Sequence, residues 1–363
     1  RVATGGDAVV YDNETWIHNL VRVTNPPIPG LWVGGTSSNW HRAANWSGNF
    51  IPDSNTDVVI PSGCLYNPMI VQSDGVCRNI IIDQGAALSI EYNSAFYGDL
   101  VNYGSILVGN PLVAPYVYVY GNVEIGDSGM LSFDTSPGIL RVQGSWTEHP
   151  GSSVNMQPSG TLQFFGAGTS NLVLQSSNSH YQDLSFQKDV GTSVIFSSAS
   201  ISPAYIHGQL GIANGLSVLY QSPQDIYLYG NLSCPSDSYF EALAGTIHML
   251  GMGGSIELSN TSNINSLNIN SAGNVTLYSG IKLNGDLTIS SGYLVAGYHS
   301  IFLKGSWFNN LGLDAFMEQT STVVFNGDDD QNLYTETFYS LVVDKPGGRI
   351  MMRPGSTINT TNY

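Results

Sequence analysis

The sequence has little charge and no long apolar run, and each shortage excludes a class of protein. Only 10% of the 363 residues are Asp, Glu, Lys or Arg, against about 25% in an ordinary globular domain. The 11 Lys and Arg residues are outnumbered by 27 Asp and Glu, and the net charge is −16. Nucleic acids and anionic membranes bind basic clusters, and a membrane span needs about 18 consecutive apolar residues. We therefore expect no nucleic-acid partner and no membrane insertion.

Helical patterning is also missing from the sequence. No long window places apolar residues at the i, i+3, i+4, i+7 spacing of an amphipathic helix. Short alternating runs such as Tyr116–Tyr120, Asp225–Tyr229 and Ser300–Leu303 dominate instead. Gly, Asn, Ser or Pro bounds each run and supplies the turns. Because the runs are rich in β-branched and aromatic residues, they predict strands.

The rhythm of these runs predicts an all-β protein built as a right-handed parallel β-helix, or β-solenoid. Gly-x-Leu or Gly-x-Val, a strand, a turn and another strand recur from about residue 79 to the end without an obvious linker. Stacked coils satisfy the backbone of every strand except those at the two ends. The alternative is an array of β-sandwich domains with Greek-key links.

Three stretches of the chain share one pattern and indicate a long repeat. They are Gly160–Gly166, Gly245–Gly251 and Ser321–Gly327, which are followed by the strand-like runs Asp183–Phe186, Ser266–Ile269 and Ser340–Val343. A second marker with nearly the same spacing begins at Gly144, Gly230 and Gly305. The spacings predict diverged copies of about 75–86 residues near 160–244, 245–320 and 321–363, the last incomplete. A unit that cannot bury its own apolar face must stack on its neighbours.

The N-terminal part has a different composition. Trp32, Trp40 and Trp46 fall within 15 residues, after a proline-rich stretch. An aromatic, irregular segment ahead of a solenoid would cover the open edge of the first coil. The chain begins with Arg1, so we expect a processed product or a piece of a larger protein. The predicted divisions are 1–30 as a strand or linker from a preceding unit, 31–78 as a Trp-rich cap or junction, and 79–363 as the β-helix.

The Trp-rich segment follows a recognisable pattern. It reads Trp32…Gly35-Thr…Asn39-Trp40…Asn45-Trp46-Ser-Gly48…Pro52…Asp57-Val-Val-Ile60-Pro-Ser-Gly63. This pattern resembles a segment that precedes β-helical repeats in very large secreted cell-surface proteins of Bacteroidetes, and residues 285–343 resemble those repeats. The resemblance implies export by the type IX pathway, an extracellular or cell-surface location, and an adhesin or gliding-adhesin-like role.

These observations predict a non-enzymatic structural or adhesive segment of a large cell-surface or filament protein. Its expected partners are surface glycans, or adjoining repeats through self-association. One alternative is a β-helix carbohydrate-active enzyme, a polysaccharide lyase or hydrolase. Such an enzyme needs carboxylates and basic groups clustered in one groove, and the sequence shows no such cluster. The second alternative is a carbohydrate-binding module.

Two sets of alternating tyrosines are candidate ligand-binding residues. Tyr116, Tyr118 and Tyr120 form one set, and Tyr227 and Tyr229 form the other. Because successive side chains of a strand point to opposite faces, each set presents its rings on one face. Such rings can stack against sugars, or against one another to stabilise the solenoid.

Two further groups of residues suggest a metal site and a disulfide. Asp328, Asp329 and Asp330 are consecutive carboxylates that could bind Ca²⁺, and a solvated turn is the favoured alternative. No other cofactor is expected. Cys64 and Cys77 are close enough in sequence for a disulfide in an exported chain, and two buried thiols are the alternative.

Overall fold

The chain folds as an all-β solenoid of stacked coils. The computed structural model describes residues 7–8, 21–22 and 27–361, except residues 111, 135 and 136. Strands are numbered in chain order, and β1 (Asp7–Ala8) and β2 (Val21–Arg22) form an antiparallel pair. The rest of the predicted strand or linker over residues 1–26 lies outside the described residues.

From β3 onward the strands belong to three parallel sheets, and each coil visits them in the same order. The first sheet contains β3 (Val58–Ile60), β6 (Ile80–Ile82), β9 (Leu100–Asn102), β12 (Val123–Ile125), β15 (Trp146–Glu148), β18 (Ser170–Val173), β21 (Ser193–Phe196), β24 (Ser217–Tyr220), β27 (Tyr239–Ala242), β31 (Ile281–Leu283), β33 (Ser300–Leu303), β36 (Thr322–Phe325) and β39 (Ser340–Val343). The second sheet contains β4 (Met69–Ile70), β7 (Ala87–Ile90), β10 (Ser105–Val108), β13 (Met130–Phe133), β16 (Ser153–Asn155), β19 (His180–Tyr181), β22 (Ala204–Ile206), β25 (Ile226–Leu228), β28 (Thr246–Met249), β30 (Ser266–Leu277), β32 (Leu287–Val295), β34 (Trp307–Asn309), β37 (Gln331–Leu333) and β40 (Ile350–Met352).

The third sheet contains β5 (Gly75–Cys77), β8 (Ser94–Phe96), β11 (Tyr116–Val119), β14 (Gly138–Val142), β17 (Gly160–Gly166), β20 (Asp183–Lys188), β23 (Leu210–Ile212), β26 (Leu232–Ser233), β29 (Gly254–Glu257), β35 (Phe316–Met317), β38 (Glu336–Phe338) and β41 (Ile358–Thr360). The long strands β30 and β32 contribute to both the second and the third sheet.

The first sheet shows how many coils are stacked. Its nine-stranded and four-stranded parts are joined by isolated bridges around Ile264, which gives 14 levels. Register pairs place Trp146 against Leu172 and Phe325 against Val343, so one coil takes between 18 and 26 residues. At about 4.8 Å between neighbouring strands, the stack is roughly 60 Å long. The predicted parallel β-helix is therefore confirmed, and an array of β-sandwiches is not the fold.

A continuous apolar core runs inside the stack. Alternation along each short strand points every second side chain inward, and parallel register places inward residues of successive coils above one another. On the first sheet Val58, Ile80, Leu100, Val123 and Trp146 stack in this way. Each of them is at most 1% exposed. Full burial of one such aliphatic side chain stabilises the fold by roughly 1.5–3 kcal/mol.

Side-chain oxygens continue the hydrogen bonding between coils at the corner before the first sheet. The Asn79 Oδ1 atom accepts from the Asp99 backbone N–H at 2.8 Å, and the Asp99 Oδ1 atom accepts from the Asn122 N–H at 2.7 Å. The Asn122 Oδ1 atom accepts from the Ser145 N–H at 2.9 Å, and the Ser145 hydroxyl accepts from the Asn171 N–H at 3.0 Å. Each side chain thus caps a backbone donor one coil further along, where the chain bends out of the sheet.

The same kind of ladder appears at the other two corners of the solenoid. One ladder precedes the third sheet, and the other precedes the second sheet. Their acceptor–donor pairs include Asp183–Gln209, Asn231–Ser255, Ser266–Asp286 and Asp286–Ser306. The hydrogen-bonded corner therefore changes along the stack.

The long sequence repeat follows this change of corner. Gly160–Gly166 lies on the third sheet, Gly245–Gly251 on the second and Ser321–Gly327 on the first. In each copy the second run pairs directly with the first, one coil later. Each copy therefore ends one sheet short of four complete coils. Corresponding residues of successive copies consequently lie on different sheets and face different directions.

The glycine that opens the second marker is required by close packing between coils. A Cβ atom at Gly144 would lie 2.4 Å from the carbonyl oxygen of Gly121, and one at Gly305 would lie 2.3 Å from that of Gly285. At Gly230 the corresponding distance is 2.1 Å. Any side chain at these three positions would displace the backbone of the preceding coil. Glycine therefore recurs in the second marker because the coils pack closely at this corner.

The Trp-rich segment closes the N-terminal end of the stack. Trp46 packs edge-to-face against Trp32 and Trp40, with ring centroids 4.9 and 4.7 Å apart. All three indoles are at most 1% exposed. The buried Asn45 amide accepts from the Thr36 N–H and hydroxyl and donates to the Asn39 carbonyl at 2.9 Å. The 3₁₀ turns Ala43–Asn45 and Ser47–Asn49 belong to this cap.

The coils begin inside the segment that was predicted as a cap. Strand β3 pairs with β6 from Val58 onward, and Leu31 forms a parallel bridge with Val59. The aromatic cluster therefore packs directly on the first coil, and the coil stacking starts about 20 residues before residue 79. Within the described residues no helix is long and apolar enough to cross a membrane.

The disulfide predicted between Cys64 and Cys77 is wrong, since both thiols are free, as is that of Cys234. Cys77 points into the core of the first coil and is 0% exposed. Cys64 lies at the edge of the cap, where its thiol donates to the Trp32 carbonyl at 3.7 Å. Burial raises the pKa of both thiols, so neither is an activated nucleophile.

The corner ladder predicts a measurable loss of stability on truncation. We expect Asn122→Ala to lower the free energy of unfolding by about 1 kcal/mol, because the Ser145 N–H loses its acceptor. The matched control is Asn214→Ala, at an exposed turn asparagine whose side chain makes no hydrogen bond among the described residues. Urea unfolding of both variants measures the difference. Equal stability of the two variants would contradict a stabilising role for the ladder.

Candidate functional site

The outward side chains of β11, β14, β17, β20, β23 and β26 form one strip along the third sheet. Parallel register places Tyr118, Arg141 and Gln163 in a single column, which continues through Ser185 and Gly211. The spacing of about 4.8 Å between strands brings neighbouring members of the column into contact. We refer to this surface as the third-sheet strip.

One end of the third-sheet strip is aromatic. Tyr118 and Tyr120 stack with their ring centroids 6.2 Å apart, and Tyr97 lies on Tyr120 at 5.2 Å with an interplanar angle of 9°. The Phe165 ring stands edge-on against both members of the first pair. Tyr97 and Tyr120 are 51% and 40% exposed, so part of each ring in this stack reaches solvent.

A guanidinium group joins this aromatic end to the rest of the strip. The Cζ atom of Arg141 lies 5.2 Å from the Tyr118 ring centroid and 5.0 Å from that of Phe165. Its Nη1 atom donates to the Tyr118 hydroxyl at 3.2 Å. Cation–π contacts on both sides hold the side chain in place. Among the described residues no carboxylate forms an ion pair with Arg141.

Next to Arg141 the strip becomes a polar groove of about 380 Å³. The lining residues are Ile139, Thr161, Gln163, Asp183, Leu184, Ser185, Gln187, Gln209, Gly211, Ile212, Ala213 and Ser233. Gln163 is only 8% exposed, and its amide makes no hydrogen bond among the described residues. Gln163 lines the groove and its amide atoms are not fully buried, so its N–H donors and carbonyl acceptor are available to a ligand.

The floor of the groove is open because Gly211 occupies the central column. A Cβ atom there would meet only the Gln209 side chain, at 3.5–3.8 Å, which is ordinary van der Waals contact. Glycine is disfavoured inside strands unless another group approaches closely. No nearby backbone atom requires glycine at this position. The absence of a side chain at Gly211 therefore opens the groove and is not needed for packing of the coils.

The groove does not have the acid–base pair of a glycosidase. Of the described residues that line it, only Asp183 carries a carboxylate. Its Oδ1 atom accepts from the Gln209 backbone N–H at 2.7 Å, as part of the corner ladder. Glycoside hydrolysis by the usual routes needs two carboxyl groups on either side of the scissile bond. The arrangement is therefore suited to hydrogen bonding and stacking.

The two predicted tyrosine sets lie on different sheets. Tyr116, Tyr118 and Tyr120 are on the third sheet, as part of the aromatic end. Tyr227 and Tyr229 are on the second sheet, outside the groove. The structure therefore brings together the members within each set, and separates the two sets.

The second-sheet set stacks along the solenoid axis. Tyr227 lies between Tyr205, at 5.1 Å, and His248, at 4.7 Å, with interplanar angles of 11° on both sides. Tyr229 stacks on His207 at 4.5 Å. The faces of these rings are covered by neighbouring rings of the same column, so this set stabilises the stacking of the coils.

The three consecutive carboxylates do not converge on a metal position. Within the described residues no three His, Cys, Asp or Glu side chains are placed to hold a metal ion. Asp330 instead accepts from the Arg349 backbone N–H at 2.8 Å. The ammonium of Lys345 donates to the carbonyls of Gly327 and Asp329, at 2.7 and 2.8 Å. The carbonyl oxygens of this turn thus already bind the Lys345 ammonium.

Two carboxylates with strongly shifted acidity lie in the core, away from the groove. Glu148 and Glu336 are both 0% exposed. Trp146 donates its indole N–H to Glu148 at 2.9 Å, and Trp307 donates to Glu336 at 3.1 Å. Burial raises the pKa of each carboxyl to about 7. Because no substrate can reach them, these groups affect stability and not catalysis.

Sequence reasoning missed most of the groove. Gln163, Gln187 and Gly211 occupy outward positions of strands and Gln209 directly precedes one. No motif distinguishes them from other surface residues. Arg141 alternates with inward Leu140 and Val142, which places it on a face but does not say which rings lie beside it. The rings beside Arg141 are determined by the register between coils. Turns of variable length set this register, and their lengths cannot be converted into a register from the sequence.

Comparison with known proteins identifies only the N-terminal part. A family described as a domain of unknown function (DUF8693) matches residues 31–103, which form the cap and the first coils. The match covers about a fifth of the 363 residues. No curated protein and no solved structure matches the chain. The groove begins at Ile139, outside the matched region.

The buried carboxyls predict that stability falls as pH rises. Their folded pKa of about 7 lies above the ordinary value of 4.5, so the folded state binds more protons than the unfolded state between these values. The stabilisation is complete below about pH 4.5 and is lost as pH rises through 7. We expect the free energy of unfolding to fall by on the order of 3 kcal/mol per group between pH 5 and 8.5.

The Glu148→Gln variant separates this effect from other titrations. Burial and His180 lower the pKa of His207, which acts in the opposite direction, whereas the hydrogen bond from Arg78 lowers the pKa of Asp57 to about 2, below the window. Urea unfolding at the two pH values should show a smaller pH dependence in the variant than in the original chain. An unchanged dependence would show that Glu148 is ionised in the folded state.

Proposed function

We propose that the chain is a rigid, non-enzymatic segment of a large extracellular surface or filament protein. Its role is to add length and to present an adhesive face that binds saccharides or surfaces. The observation that carries the proposal is the unbroken stack of 14 levels with one core. A solenoid in which each coil hydrogen-bonds only to its neighbours forms an extended, stiff scaffold.

The composition supports an extracellular setting. A surface with 10% charged residues and many hydroxyl and amide groups is typical of secreted β-proteins. The Trp-rich cap has the residues of the Bacteroidetes surface-protein pattern, and export by the type IX pathway is part of the proposal. Adjoining repeats are the natural partners of the last described coil, where Val343 and Met352 are 56% and 49% exposed.

A carbohydrate-binding role is the second candidate and is compatible with the first. The groove on the third-sheet strip favours it, because an aromatic surface adjoins unpartnered amides. A polysaccharide lyase or hydrolase is the less favoured alternative, since a single lining carboxylate provides no acid–base pair.

The proposal predicts surface exposure without turnover. Antibodies raised against residues 27–361 should label intact cells that make the parent protein, and brief protease treatment of those cells should abolish the labelling. The purified chain should release neither reducing ends nor unsaturated products from a broad panel of neutral and acidic polysaccharides.

Two results would contradict the proposal. Labelling that requires cell lysis would place the segment inside the cell. Turnover of any polysaccharide would make the chain an enzyme, provided that Asp183→Asn abolished it. The matched control for that variant is Asp237→Asn, at an exposed carboxylate outside the groove.

A further inference from the structure

We propose that the third-sheet strip binds an extended neutral polysaccharide chain lying along the solenoid axis. This inference rests on the proposed adhesive function and names the ligand class and the residues. The exposed part of the aromatic end around Tyr120 would pack against the apolar C–H groups of one sugar ring, and the groove around Gln163 would bind the hydroxyl groups of the following rings.

The shape of the strip selects a chain over a single sugar. The aromatic end begins on β11 and the groove ends on β26, five coils further along. At about 4.8 Å per coil this distance is roughly 24 Å. Gly211 keeps the central column low on β23, the fifth of the six strands in this length. A linear ligand can therefore pass along the strip without crossing a protruding side chain there.

The polar groups of the groove match hydroxyl groups. Gln163, Gln187 and Gln209 each offer two N–H donors and one carbonyl acceptor. Their side chains make no hydrogen bonds among the described residues, and Ser185 adds a hydroxyl. Sugar hydroxyls both donate and accept, so one ligand type satisfies both halves of each amide.

Charge favours a neutral ligand over an acidic one. Asp183 is the only charged residue that lines the groove in the described part of the chain, and the whole chain has a net charge of −16. The guanidinium of Arg141, next to the groove, is held between two rings and supports the aromatic end. A polyanionic chain would meet Asp183 and the overall negative potential without a lining cation to compensate.

The experiment is calorimetric titration of the whole chain with six-unit oligosaccharides. The neutral probes come from glucan, mannan and xylan, and a hexamer of galacturonic acid is the anionic probe. We expect saturable binding of at least one neutral probe and weaker or undetectable binding of the anionic one. The Gly211→Val variant should weaken binding at least tenfold, because valine fills the floor of the groove without a backbone clash.

Matched variants test the assignment of residues. Thr288→Val places the same side chain at an outward position of the second sheet, away from the strip, and should bind as the original chain does. Tyr120→Ala and Gln163→Ala should each weaken binding, whereas Tyr229→Ala should not. Equal thermal melting of Gly211→Val and the original chain would show that the fold is intact.

Three outcomes would overturn the inference. They are no saturable binding of any neutral probe, binding that is insensitive to Gly211→Val, and a preference for the anionic hexamer. None of these outcomes alters surface labelling or the absence of turnover. Failure of the groove is therefore distinguishable from failure of the proposed function.

Discussion

Hydrogen bonds from corner side chains to the backbone of the next coil are the interactions on which this fold depends. Within the sheets, parallel pairing between strands satisfies most of the backbone, and serine hydroxyls accept from strand N–H groups such as those of Val154 and Phe240. At the corners the chain leaves the sheet, and its N–H groups would face solvent or the neighbouring turn. Asn79, Asp99 and Asn122 supply acceptors there, one coil after another. The ladders thereby keep successive coils in register, and register determines every surface of the molecule.

The change of corner along the stack explains why the long repeat builds no repeated site. Corresponding residues of its three copies lie on the third, second and first sheets in turn. A polar cluster present in each copy would therefore point in three directions. Features that serve packing are retained, such as the glycine of the second marker and the carbonyl-binding side chains Lys188 and Lys345. Features that serve a ligand, such as Gln163 and Gly211, belong to one place on the stack.

The sequence was sufficient to predict the fold class and many of the strands, because strand alternation and turn glycines are local signals. Tyr118 and Tyr120 could be placed on one face for the same reason. The neighbours of those rings could not be predicted, since Phe165 and Arg141 reach them only through the register of three coils. The start of the solenoid at Val58 was missed because irregular turns around Cys64 and Pro68 hide the first coil. Cys77 is buried in the first coil, whereas the Cys64 thiol contacts the Trp32 carbonyl at the edge of the cap, and sequence separation does not reveal these different positions.

The central claim is that a single rigid stack separates residues in proportion to the number of coils between them. Double electron–electron resonance tests this claim most directly, with spin labels at Glu124→Cys and Lys304→Cys and the three native cysteines replaced by alanine. The two positions occupy one outward column of the first sheet, eight coils apart. We predict one narrow distance distribution centred at roughly 38 Å, from about 4.8 Å per coil. A broad distribution, or a centre displaced by more than the length of the label side chains, would contradict the account.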